Sequence, residues 1–423
     1  MIHPMFTAIT ALQTYQTFLD SIADNVANAN TVGYKPNRVT FQTQFASIIS
    51  PGSAPTDTLG GIDPTQIGQG VRFGSITPVF KQGMLRNTGR TLDMAIQGEG
   101  FFVFTNGNQT FYSRDGSVEV DAQGYLVNPS SGMKLLGWEP VGGAINTNLP
   151  AGPIQIPLDR TIARATSDIV FGGNLDARAA AGDSTDITFG AYDSLGNLYS
   201  TTVRFTRTAT TSPNNLWNWS ITGVTSNGVA LPAGSYSGSG TVAYDSNGQF
   251  VAAASTPGAI TITPPAATGA AVITIPAANI DFSGTTQLTD LTSVGLTSQN
   301  GLAAGSVQSI SIAQNTGEIN LLYSNGLRDL VGQVAVAKFT NPSALLREGQ
   351  NLFREGLNSG APNLNAASVG GRGTLVAGYL EDSAVDIAQE FTSMIVAQRG
   401  FQASARVITT SDEMMVELVN LKR

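Results

Sequence analysis

Residues able to do chemistry are few in this chain, and they stand apart. Among 423 residues there is one histidine, His3, and no cysteine. A nucleophilic triad needs an imidazole held in one tautomer and one orientation, and His3 sits beside Pro4 near the first residue. Without thiols, disulfides, thiolate metal ligands and cysteine nucleophiles are excluded. Asp193-Ser194-Leu195-Gly196-Asn197 and Asp245-Ser246-Asn247-Gly248 have the acidic look of calcium loops, but neither has the downstream bidentate Glu. They read as tight turns built on Asp, Asn and Gly. Gly68-Gln69-Gly70-Val71-Arg72-Phe73-Gly74 has the wrong spacing for a dinucleotide loop and no βαβ context. Thirty acidic residues always allow some pair of carboxylates, so a glycoside-cleaving pair gains no support from them. The reading is therefore no catalytic residue, no metal, no cofactor and no enzyme.

Composition narrows the class further. The net charge is -8, only 12% of residues are charged, and there is no long basic run. Nucleic acid is then an unexpected partner, since affinity for it comes mostly from Lys and Arg at phosphates. No stretch approaches the ~18 consecutive apolar residues of a membrane span, so no membrane insertion is expected. Met1-Ile2-His3-Pro4-Met5 lacks a basic n-region, and the residues after it are striped rather than uniformly apolar, so a cleaved signal peptide is not expected either. Abundant Gly, Ser, Thr, Asn and Ala suit extracellular β-structure with many turns.

What remains is elements that position surfaces rather than reagents. Met5, Ile9, Leu12, Gln16, Leu19, Ala23, Val26 and Asn30 follow steps of four and three. Ala8, Tyr15, Ile22 and Ala29 widen that stripe, and Asn28, Asn30 and Gly33 end the helix, with Gly33 left-handed. A second heptad runs through Ala384, Ile387, Phe391, Met394, Gln398, Phe401, Ala405, Ile408, Asp412, Met415 and Val419, and the striped sequence continues to Leu421. Asp382 or Ser383 is its expected cap, with Ser383-Ala384-Val385-Asp386 at capping-box spacing. Gly400 weakens its middle by roughly 1 kcal/mol relative to Ala. Each helix either packs on its own domain or pairs as a coiled coil. The second reading is preferred because neighbouring sequence offers no core, and the two would run antiparallel within one subunit.

Between them the period changes to that of strands. Asp93–Phe104 and Phe111–Gly116 read as hairpin strands, and the same texture returns at Ile310–Gly326 and Gly332–Phe339. The expected fold is mainly β with terminal α-helices, discontinuous and multidomain. Residues 1–30 and 380–423 form the helical assembly domain, and 31–73 and 365–379 are linkers. Residues 74–150 and 303–364 make one β-domain from both halves of the chain. Residues 151–302 are an inserted outer β-sandwich or barrel. Trp217 and Trp219 alternate on one strand and face one side, more as a core face than as a sugar platform.

The run Asn25-Val26-Ala27-Asn28-Ala29-Asn30-Thr31-Val32-Gly33-Tyr34-Lys35 closely resembles the N-terminal signature of bacterial flagellar axial proteins of the rod and hook. Glu390-Phe391-Thr392-Ser393-Met394-Ile395-Val396-Ala397-Gln398-Arg399-Gly400-Phe401-Gln402-Ala403 resembles their C-terminal signature, with Gly400 in place of the commoner Ala. Tyr192–Tyr199, Asn215–Trp219 and Val242–Gly248 look like the inserted domain of the hook branch, whereas the distal rod branch is expected to be much shorter. The resemblance implies a structural subunit of a curved, flexible tube that transmits torque from rod to filament. The implied partners are copies of itself, the distal rod protein, the hook cap protein, the hook–filament junction protein and the flagellar type III export apparatus. The implied location is the extracellular hook of the bacterial flagellum. The expected assembly residues are Met5, Ile9, Leu12, Leu19, Val26, Ile387, Phe391, Met394, Phe401, Ile408, Met415 and Val419. The signature residues are Asn28, Asn30, Thr31, Gly33, Tyr34, Gln398 and Arg399. A distal rod or junction subunit, and a secreted β-rich glycan-binding protein, are the alternatives.

Overall fold

Pro4 sits in the first turn of helix α1 (Ile2–Ala27), where its missing N–H is not needed. Helix α2 spans Ile387–Asn420. These helices belong to a computed structural model that describes residues 2–57, 59–208 and 215–420, so Leu421 lies outside the described residues. The chain divides into two units: Met1–Ile156, Ile310–Asn320 and Leu330–Arg423 in one, Pro157–Ser309 and Leu321–Asp329 in the other.

In the first unit the sheet interleaves early and late sequence. Phe101–Thr105 pairs with Thr110–Ser113 and with Lys134–Trp138, but also with Val336–Lys338, where Val336 faces Phe102. Phe353 pairs with Tyr112, and Gly137 with Val334. Phe101, Tyr112, Trp138, Phe339 and Phe353 fill the core beneath, with edge-to-face ring contacts such as Tyr112–Phe339 at 4.7 Å. Two segments expected to be linkers carry strands. Residues 31–73 hold β1 (Asn37–Thr43), β2 (Ala46–Ser50), β3 (Thr65–Gly68) and the start of β4 (Val71–Pro78). β1 pairs with β4 and β2 with β3, making a long antiparallel arm whose outer strands are exposed throughout. Thr374–Ala377 pairs with Met94–Gln97 and buries Leu375. Frequent Pro and Gly hid the first and frequent Gly the second: the punctuation that signals a loop also flanks short strands.

The second unit gathers several sheets on one core. A hairpin of Ser184–Tyr192 and Leu198–Arg207 continues to Asn215–Ser226 and Ser239–Tyr244. Smaller sheets supply Phe171, Ile260, Ile275 and Phe282 to the same core. Trp217 and Trp219 are fully buried in it, which removes them as a sugar platform. Ile162 pairs with Gly305 and Arg164 with Leu302, so the chain enters and leaves this region side by side. The two acidic glycine runs are turns. Asp193 Oδ1 accepts the N–H groups of Leu195 and Asn197, both at 2.9 Å, and Asp245 Oδ1 accepts those of Asn247 and Gln249, both at 2.8 Å. A third turn at Asp121–Tyr125 repeats the pattern.

Candidate assembly interface

The two helices pack against each other, and their direction follows from two contacts. Asn25, near the end of α1, donates from Nδ2 to Glu390 Oε1 at 3.1 Å, in the first turn of α2. Ten residues earlier on α1, the Tyr15 ring lies against Gly400, where an added Cβ would stand 2.4 Å from Cζ. Ten residues back on one helix is ten forward on the other, so the pair is antiparallel. Asp386, not Asp382 or Ser383, caps α2: its Oδ1 accepts the N–H of Ala388 at 3.0 Å and of Gln389 at 3.2 Å. The earlier candidates lie before the helix begins, where Asp382 N–H is bonded to Met84 O and the following Ala384 N–H to Tyr34 O.

The face that α2 gives to α1 overlaps the expected seam at Ile408 but is centred one position before Gln398 and Asp412. Ala397 and Ser411 are buried, and Glu390, Gly400, Ser404 and Ile408 are half-buried. Small side chains let the two backbones approach closely, and Gly400 is a notch for Tyr15. On α1 the buried residues are Ala8 and Ile22, which belong to the widened stripe, together with Thr14 and Asn25, while Met5, Ile9, Leu12, Leu19 and Val26 are half-buried. Phe41 of β1 covers Phe18 edge-on at 5.5 Å and meets Tyr15 at 6.3 Å, so α1 is sandwiched between α2 and the arm.

The large apolar residues of α2 therefore face away. Ile387, Phe391, Phe401, Met415 and Val419 are exposed, as are Ile395 (58%) and Val396 (61%) beside them. Met394 and Ile408 are half-buried; Gln398, Arg399 and Asp412 point to solvent. Clusters of this kind on a folded surface mark interaction sites. Heptad counting missed the phase because Ala, Gly and Ser scarcely register as apolar, although they made the contact.

The signature after α1 is a lock. Asn25 Oδ1 accepts the N–H of Asn37 at 2.8 Å, and the single Tyr34 hydroxyl proton is shared between Asp24 Oδ2 at 2.9 Å and Asn25 Oδ1 at 3.2 Å. Burial pushes the Tyr34 hydroxyl up to about 12, so it remains a donor. Asn28 Oδ1 accepts from Thr31 Oγ1 at 3.1 Å and closes the turn; Asn30 is exposed. Gly33 has φ +69°, and a Cβ there would meet the backbone of Asp115 at 2.7 Å, so the position needs glycine twice over. Lys35 is buried: its Nζ donates to Glu381 Oε1 and to Lys81 O, both at 2.6 Å. Glu381, just before α2, also takes Arg114 at 3.3 Å and the N–H of Gly83 at 2.8 Å. Burial holds the pKa of Lys35 below the usual range, against the pull of Glu381. One carboxylate thus ties the exit of α1, the entry to α2 and the β-domain. Sequence reading missed Glu381 and Arg114. The available signal was weak: Glu381 directly follows the strand-like run Thr374–Leu380 and is adjacent to Asp382.

Four family descriptions match this chain. They are the flagella basal body rod protein over residues 5–35, the flagellar hook protein FlgE/F/G D1 domain over 95–170, the flagellar basal body protein FlaE D2 domain over 158–302, and the flagellar basal body rod FlgEFG protein C-terminal region over 376–421. The chain is 34% identical to the flagellar hook protein FlgE of Borreliella burgdorferi and 34% identical to that of Treponema pallidum, each over 100% of both chains. It is 28% identical to the flagellar basal-body rod protein FlgG of Bacillus subtilis, also over 100% of both. A rod-named relative of full length means that chain length does not separate the two branches; the higher identity to hook proteins does.

Proposed function

The chain belongs to the flagellar hook protein family, and from that premise we propose how this structural subunit builds its tube. Copies associate through the outward face of α2, with the exposed Ile387, Phe391, Phe401, Met415 and Val419 packing on neighbours and the half-buried Met394 at its margin, while Ile408 stays on the side of α1. The half-buried row of α1, Met5, Ile9, Leu12, Leu19 and Val26, completes the same inner layer. Such a contact joins different patches of successive copies, and a heterologous contact that does not close gives a helical tube. The β-rich surfaces of neighbouring copies, small in side chain and weakly charged, slide past one another as the tube curves and turns. The tube passes torque from the rod to the filament. Its ends meet the distal rod protein, the hook cap protein and the hook–filament junction protein, and the flagellar type III apparatus exports the subunits.

The exposed apolar stripe of a helix whose other face already has a partner carries this reading. Burying one such side chain contributes about 1.5–3 kcal/mol, and a charge in its place is far costlier to bury. The test is Phe391→Asp expressed in cells lacking their own hook protein. The expected outcome is stable subunits, no hooks in electron micrographs and no swimming. Normal hooks would overturn the reading. A rod subunit is the second reading, favoured by the full-length likeness to the Bacillus subtilis protein. Restoration of a missing rod, rather than a missing hook, would establish it.

A further inference from the structure

Asn-Gly occurs five times in the chain, beginning at Asn106, Asn227, Asn247, Asn300 and Asn325. The pair is chemically unstable. The glycine nitrogen can attack the asparagine side-chain carbonyl, and glycine has no Cβ to obstruct the approach. The attack requires that nitrogen to give up its proton, so an N–H already hydrogen-bonded in the fold is protected. At four of the five sites it is bonded. The Gly107 N–H donates to Thr105 Oγ1 at 3.0 Å, that of Gly248 to Asp245 O at 3.1 Å, that of Gly301 to Gln299 Oε1 at 2.6 Å and that of Gly326 to Tyr323 O at 2.9 Å. Three of the side chains are held as well. Asn106 Oδ1 accepts the Gln109 N–H at 2.9 Å, Asn300 Oδ1 accepts the Ser167 N–H at 2.9 Å, and Asn325 Nδ2 donates to Ala303 O at 2.8 Å.

Asn227-Gly228 is different. It is the two-residue turn between the strands Asn215–Ser226 and Val229–Ala230, with Ser226 opposite Val229. Among the described residues, neither the Asn227 side chain nor the Gly228 N–H has a partner, and both residues are exposed. Their φ values of +49° and +80° fit a type I′ turn. That turn must open before the nitrogen can reach the side chain. The strand that follows has only two residues, both exposed, so little holds the tip closed.

We infer that Asn227 is a site of spontaneous modification in the second unit. Gly228 N bonds to Asn227 Cγ, the Cγ–Nδ2 bond breaks, and the side-chain nitrogen leaves as ammonia with the glycine's amide proton. A five-membered succinimide remains. Water then opens the ring at either carbonyl. One product is aspartate. The other is isoaspartate, in which the chain runs through the former side chain and gains one backbone carbon. Both put a new carboxylate on the tip, and the second also breaks the two-residue turn. The protein thereby carries a mark of its own age.

Peptide mass mapping of the whole chain, stored folded at mildly alkaline pH, tests this. A sample stored in urea is the reference, and each site's folded rate is divided by its own rate in urea. Asn227 should keep the largest fraction of its unfolded rate, at least about fivefold more than any of the other four, the protection that one hydrogen bond gives its N–H. The modified Asn227 peptide should also be labelled by L-isoaspartyl methyltransferase, which methylates isoaspartate and not aspartate. A fraction at Asn227 no larger than at the other sites overturns the inference. Acid formation at Asn227 without any methylation overturns the succinimide route.

Discussion

Three side chains hold the assembling unit together at the residue scale. Glu381 is buried with Lys35 and Arg114. Glu381→Gln leaves two buried cations without their anion, which costs about 3–5 kcal/mol. Urea unfolding of the β-domain should show that loss in its midpoint; a change under about 1 kcal/mol would mean that water reaches the cluster. Gly400 seats Tyr15. Gly400→Leu should destabilise the helix pair by about 1–3 kcal/mol through overpacking, and Tyr15→Ala should recover most of it, read as coupling in a double-mutant cycle by helical circular dichroism. Burial raises the pKa of Glu390, opposed by its hydrogen bond from Asn25. A carboxyl with a raised folded pKa contributes stability that is present at acid pH and lost as pH rises through the folded value. Glu390→Gln should therefore flatten the pH dependence of helix-pair melting just above the ordinary carboxylate range, and keep the Asn25 contact. An unchanged pH profile would contradict it.

At the scale of elements, both helices were legible because heptads declare themselves, yet their mutual face was not. Of the expected seam on α2, Phe391, Gln398 and Asp412 are exposed, each one residue beyond the half-buried Glu390, the buried Ala397 and the buried Ser411, whereas Met394, Ala405 and Ile408 are half-buried. Large residues set the period, and small ones make the contact. Gly33 and the turns at Asp193 and Asp245 were legible, since local bonding decides them. The arm of β1 to β4 was not, because what holds it in place is contact with α1 through Phe41 rather than its own pattern. The lock of Lys35 with Glu381 spans 346 residues, and no local rule reaches it. On the antiparallel register, α1 begins near Glu413 of α2, leaving Met414 to Val419 exposed on every side. A helix end with this many exposed apolar residues gains most of its stability from packing. That segment should exchange its amide hydrogens rapidly in soluble subunits and slowly in hooks; equal exchange would contradict a role in assembly.

For the whole molecule, the division into an assembling unit and a second β-rich unit makes a deletion possible. Arg164 and Leu302 are antiparallel partners. Replacing residues 165–301 by Asn-Gly should close that pair as a hairpin and leave the first unit with its core and helix pair. Circular dichroism should retain the helical signal, and electron micrographs should show tubes that are straighter or weaker. Failure of the shortened chain to fold would mean that the first unit needs the second.

The central claim is that one face of α2 holds its own α1 while the opposite face builds the tube. Electron cryomicroscopy of isolated hooks at side-chain resolution tests it most directly. The account predicts Phe391, Ile395 and Val396 within about 4.5 Å of a neighbouring copy, with Ala397 and Ser404 still against the same subunit's α1. Phe391, Ile395 and Val396 facing open solvent in the hook, or the helix pair separated into different subunits, would contradict it.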